Sequence, residues 1–143
     1  MRSAAWLALV FLAIGPLARA DHKQLPELSR RLGIETTNLA RGARSVIGTY
    51  PTYRQRYAYE HISFFHSVSH RFERIVAGLR EDRDHASDVR AAFQRLERDA
   101  YLARSTFLDL FYSSSDDHPS LKPLEQMLAN SEALVKEIGN NLP

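Results

Sequence analysis

From Gln24 onward, apolar residues recur every three or four positions in four separate runs, the spacing that lines one face of an α-helix. The first run, about 24–47, carries Leu25, Leu28, Leu32, Leu39, Ala43 and Val46 behind Pro26, a residue tolerated in an opening turn. Gly33 and Gly42 lower its helix propensity by about 1 kcal/mol each relative to Ala, and Gly33 marks the point where a break is expected. The second run, about 52–79, opens on Thr52 and Gln55 at capping-box spacing. Its apolar face is read as Tyr57, Phe64, Phe65, Val68, Phe72, Ile75, Val76 and Leu79. The third, about 87–112, starts at Ser87 as N-cap and carries Val89, Ala92, Phe93, Leu96, Ala100, Ala103, Phe107, Leu110 and Phe111. The fourth, about 120–138, repeats Leu121, Leu124, Leu128, Ser131, Val135 and Ile138 at bundle spacing, with Gly139 expected to stop it. No segment alternates as a strand would. Short connections make consecutive helices antiparallel neighbours, so the expected fold is all-α, a single up-down-up-down four-helix bundle over 21–143.

Residues 1–20 lie outside that pattern and read as a signal peptide: Arg2, an apolar run from Ala4 to Leu17, then Ala18-Arg19-Ala20 as cleavage site. The run is short of the roughly 20 residues a membrane helix needs, so no stable membrane span is expected after cleavage. The protein is therefore expected to be exported, periplasmic in a bacterium and otherwise secreted. The absence of Cys excludes a lipid-anchored cysteine and any disulfide, which leaves stability to the packed core.

Charge needs the same correction. The full chain has 19 Lys+Arg against 17 Asp+Glu, but Arg2 and Arg19 leave with the leader, so the remaining 123 residues are neutral. Nucleic acid is not an expected partner, because phosphate contacts call for a surplus of cations. Neutrality hides a division: His22–Arg80 holds ten basic and four acidic residues, Glu81–Pro143 seven and twelve. Opposite halves predict attraction within one molecule or a homodimer between two.

The Arg/Tyr-rich stretch around the first connection is the leading functional feature. Arg41, Arg44, Arg54 and Arg56 stand among Tyr50, Tyr53, Tyr57 and Tyr59, and no acid occurs between Glu35 and Glu60. Arginine beside tyrosine suits anion recognition, cation–π contact and interface hot spots. A protein partner or small anionic ligand is expected there, the competing expectation being pairing with the acidic 113–119 loop. The alternative is a metal-binding protein: His66, His70 and Glu73 share one helical face and supply the ligand types of Zn²⁺ or Cu²⁺. That face is expected to look into solvent, about 135° from the apolar face.

Glu35 and His61 are read as a buried polar pair, each at a stripe position and about one turn apart across the first hairpin. An acid–base enzyme built on them is the one catalytic alternative. No nucleophile motif, phosphate loop or paired carboxylate supports catalysis, and no cofactor is expected. Haem is not expected either: Met127 is the one methionine near His61, aromatics crowd that layer, and there is no C-x-x-C-H attachment sequence. The chain thus reads as an exported, non-catalytic helical binding or accessory protein.

Overall fold

The computed structural model describes residues 23–78, 86–114 and 118–143; the expected leader, 1–20, lies outside them, as do Asp116 and Asp117 of the acidic loop. The described residues form four α-helices, α1 (Leu25–Ile47), α2 (Tyr53–Gly78), α3 (Ala86–Thr106) and α4 (Leu121–Asn140), with a 3-10 segment at Phe107–Phe111. None of these helices is long and apolar enough to cross a membrane.

Residue pairs across the seams give the directions. Thr37 of α1 meets His66 and His70 of α2, while Arg44, farther along α1, lies over Tyr59. Phe72 of α2 packs on Phe93 of α3, and Gln55 reaches Leu110. Arg104 of α3 faces Glu132 of α4, while Phe93 abuts Gly139. In each pair of helices the numbers rise on one as they fall on the other, so consecutive helices run antiparallel. α1 packs against both α2 and α4, and α2 against α1 and α3. The α3–α4 seam is the slighter one and opens into a cleft of about 470 Å³.

The helix ends follow local chemistry. Thr52 and Gln55 form the expected capping box: Gln55 N–H donates to Thr52 Oγ1 at 3.2 Å and Thr52 N–H to Gln55 Oε1 at 2.9 Å. The third helix does not run unbroken to 112. Ser105 and Thr106 hydroxyls both donate to the Leu102 carbonyl, at 3.0 and 2.9 Å. Side-chain hydroxyls competing for one carbonyl loosen the α ladder, and the chain continues as a tighter 3-10 turn that buries Phe107, Leu110 and Phe111. Gly139 is no helix stop. α4 runs past it, and its missing side chain makes room for Phe93, whose ring would lie 2.9 Å from a Cβ there.

The core corrects the sequence reading of two faces. On α1 the position between Leu32 and Leu39 is filled by Thr36, fully buried, and Glu35 stands at its edge. On α2 the buried set is Gln55, Ala58, Ile62, Phe65, Ser69, Phe72 and Val76, whereas Tyr57 and Phe64 are exposed. Thr36, Ser69 and Ser131 are each 0% exposed, and each hydroxyl donates to the carbonyl four residues back in its own helix. No buried hydroxyl in this group is left without an acceptor.

The expected break at Gly33 does not occur; α1 is continuous, and both its glycines face a neighbouring helix. At Gly42 an added Cβ would overlap the Leu124 side chain, which is 2% exposed and has nowhere to swing. Gly42→Ala is therefore expected to destabilise the fold by about 1–3 kcal/mol of overpacking, set against about 1 kcal/mol gained in helix propensity. At Gly33 the nearest atoms are Glu73 Oε2 at 2.9 Å and His70 Cε1 at 3.3 Å, both on partly exposed, flexible side chains. Gly33→Ala is expected to be near neutral. Thermal unfolding of the two variants checks the contrast, and equal losses at both positions would refute it.

Candidate functional site

The capping box that starts α2 also fixes the end of the molecule where the Arg/Tyr stretch lies. Gln55 is buried, and its Nε2 donates to the Leu110 carbonyl at 3.0 Å. That bond fastens the first turn of α2 to the 3-10 segment. At about 100° per residue, Tyr53, Tyr57, His61 and Phe64 then fall on one flank of α2. Their rings touch in series: Tyr53 stacks on Tyr57 at 6.2 Å, Tyr57 meets His61 edge-on at 4.5 Å, and His61 meets Phe64 at 6.4 Å. Tyr53 is 74% exposed and Phe64 56%. Next to them the Arg54 guanidinium lies over the Tyr112 ring, 4.3 Å from its centroid, a cation–π contact that holds the charge in place while leaving its N–H groups open.

The remaining Arg/Tyr residues do not join one patch. Tyr50, in the connection after Gly48 (φ 61°), is 95% exposed. Arg56 faces outward, while Arg44 lies over Tyr59 on the opposite flank of α2, 5.8 Å from the ring centroid. Arg41 sits lower, in a cleft of about 320 Å³ with Thr37, Asn38, His70 and Glu73. Among the described residues none of these four arginines meets a carboxylate. Pairing with Asp116 and Asp117 falls outside the described residues.

The histidine face of α2 is placed differently from the expectation. It lies along the α1–α2 seam, with His66, His70 and Glu73 half-buried rather than fully in solvent. The offset was measured from the exposed aromatics, and the true buried face is centred on Ala58, Ile62 and Ser69. The Thr37 hydroxyl donates to the Gly33 carbonyl at 2.7 Å, so toward the imidazoles it serves as acceptor. His70 Nε2 lies 3.1 Å from it and His66 Nδ1 3.5 Å. The His70 Nδ1 faces Glu73 Oε2 at 3.4 Å. Gly33 admits this cluster, because a Cβ there would crowd both Glu73 and His70. Burial first, and the neighbouring His70 charge second, hold the His66 imidazole below its ordinary value. Among the described residues no three His, Asp or Glu side chains are grouped so that they could hold a metal ion.

Glu35 and His61 are not partners. The α1–α2 register puts Thr37 against His66 and His70, so Glu35 falls more than a turn away from His61, which belongs to the aromatic flank. His61 Nε2 is buried and makes no hydrogen bond. Sequence reasoning also missed Tyr112, Phe64 and Thr37 as neighbours of the site. Phe64 carried a signal in its four-and-three spacing from Tyr53, Tyr57 and His61; Tyr112 and Thr37 come from other helices and carried none. Compared with protein families, curated proteins and solved structures, the chain matches none of them.

Two measurements follow from these histidines. A buried nitrogen without a partner costs about 1–3 kcal/mol, so His61→Phe, which keeps the ring contacts with Tyr57 and Phe64, is expected to raise Tm by a few degrees; a lowered Tm would show that Nε2 is satisfied. For His66 the folded value lies below the free value of 6.5, so on acidification the unfolded chain takes the proton first. Stability is therefore full above that pH and falls as pH drops through it. Tm is expected to be lower near about pH 5 than near about pH 7.5, and His66→Asn is expected to narrow the difference.

Proposed function

We propose that this protein is an exported, non-catalytic, up-down-up-down four-helix bundle that binds an anionic protein partner through the Tyr53–Tyr57–Phe64 flank and Arg54. Export rests on the segment 1–20, whose pattern of Arg2, apolar run and Ala18-Arg19-Ala20 is that of a cleaved leader. The antiparallel pairing of consecutive helices supports the bundle topology.

One observation carries the binding reading: the Arg54 guanidinium, fixed on Tyr112 with no carboxylate partner among the described residues, stands beside a ladder of exposed rings. A packed monomer gains nothing by exposing Tyr53, Tyr57 and Phe64 in one row, whereas Tyr and Arg on a rigid helix form the anchors of interfaces. The arginine fork supplies two parallel donors to a carboxylate, and the rings supply area at little cost in side-chain entropy. The metal alternative has less support, since His66 and His70 share the Thr37 hydroxyl and Glu73 supplies no grouped third ligand.

Affinity capture from the exported fraction of the native cell, with the wild-type protein and the Tyr53→Ala/Arg54→Ala double variant as baits, tests this. The expected result is at least about a tenfold loss of the captured partner with the variant, equivalent to about 1.4 kcal/mol. Both side chains are exposed, so circular dichroism and Tm are expected to stay unchanged. An identical set of captured proteins for both baits would overturn the proposal.

A further inference from the structure

At the opposite end of α2, on the seam with α3, a third concave surface, of about 510 Å³, is open to solvent. Ile75 lies 22 residues beyond Tyr53, which along a helix is roughly 33 Å, so this cleft shares no residue with the Arg/Tyr end. Its floor is apolar, with the fully buried Phe72 and the half-buried Ile75 on α2 facing Ala91 and Ala92 on α3. Small residues make the width: two alanines stand on α3, and at Gly78 an added Cβ would meet nothing within 4 Å.

Three guanidinium groups stand around this floor, Arg71 and Arg74 from α2 and Arg95 from α3. None of the three takes part in an ion pair or hydrogen bond among the described residues. One carboxylate, Asp88, shares the lining; it lies in the first turn of α3, where it complements the positive end of the helix dipole. Among the described residues cations thus outnumber anions at the rim, above an apolar floor.

We propose that this cleft binds a small amphiphilic anion, one acidic head group on a hydrocarbon or aryl body. The chemistry of the lining selects both parts. An inorganic anion would find arginines but leave the apolar floor wet, and a neutral hydrocarbon would leave three cations unused. A carboxylate with an alkyl chain uses both, because a guanidinium fork matches a carboxylate with two parallel N–H donors and the chain covers Ile75, Ala91 and Ala92. The volume lies within the range of small-molecule sites, about 300–1,000 Å³.

Calorimetric titration of the full chain with laurate, kept below its micellar concentration, reads the binding directly. The expected dissociation constant is tighter than about 100 µM. Dodecyltrimethylammonium, with the same chain and a cationic head, and butyrate, with the same head and little chain, are each expected to bind at least about tenfold more weakly. Arg74→Glu/Arg95→Glu is expected to weaken laurate by a similar factor, and Ala91→Trp, which fills the cleft from an exposed position, to abolish binding with Tm unchanged. The Tyr53→Ala/Arg54→Ala variant at the other end is expected to bind laurate like wild type. Laurate weaker than about 1 mM, equal affinity for the cationic amphiphile, or undiminished binding by Ala91→Trp would overturn the proposal. Anionic vesicles form a separate arm: capture of vesicles without binding of free laurate would replace the small molecule by a lipid surface and also overturn it.

Discussion

The side-chain amide of Gln55 is buried at the start of α2 with both of its ends committed to main chain, accepting from Thr52 N–H and donating to the Leu110 carbonyl. The first bond fixes where α2 begins, and therefore the rotation of every side chain along it. The second fixes where the end of α3 sits relative to that rotation. The Arg54–Tyr112 contact joins the same two segments one residue before Gln55 and two after Leu110, so its 4.3 Å geometry is a consequence of the amide bridge. Loss of either amide bond would leave a buried polar group unpaired, which costs more than the bond itself contributes.

Much of the fold was legible because helices announce themselves through period. The observed helix ends lie within about two residues of expectation on α1, α2 and α4, and the Thr52–Gln55 box is a sequence signature in the strict sense. What was not legible was rotation and register. Tyr57 and Phe64 carry far more apolar area than Gln55, Ala58 and Ser69, yet the small and the hydrogen-bonded residues face inward because they fit where helices approach closely. That single misplacement carried the His66–His70–Glu73 face outward in the sequence reading, though it lies on the α1–α2 seam. Register failed for a related reason. Glu35 and His61 were aligned from the position of the turn, while the actual pairing sets Thr37 against His66 and His70, and Gly33 against His70 and Glu73. Neither effect leaves a mark in the spacing of apolar residues.

The division of charge between the two halves of the chain takes on another meaning in three dimensions. The ion pairs Arg30–Glu27, His70–Glu73 and Arg98–Asp99 stay within one helix, and Arg104–Glu132 joins the two acidic-half helices. Among the described residues no ion pair joins α2 to α3. Packing of Phe72 on Phe93 and the Gln55 bridge join them.

Midway along the bundle, Thr36, Ser69 and Ser131 give their hydroxyl protons to their own helices. No hydrogen bond among these three passes from one helix to another; the polar contact between α1 and α2 at this level is made by Thr37 with His66 and His70. Nearer the helix ends, α4 meets its neighbours through notches and the side chains that seat in them: Gly42 for Leu124, Gly139 for Phe93. A lock of that kind has no long-range component and does not respond to salt. It is also unforgiving of sequence length, since deleting or inserting one residue between Gly42 and the end of its helix would turn the notch by about 100°.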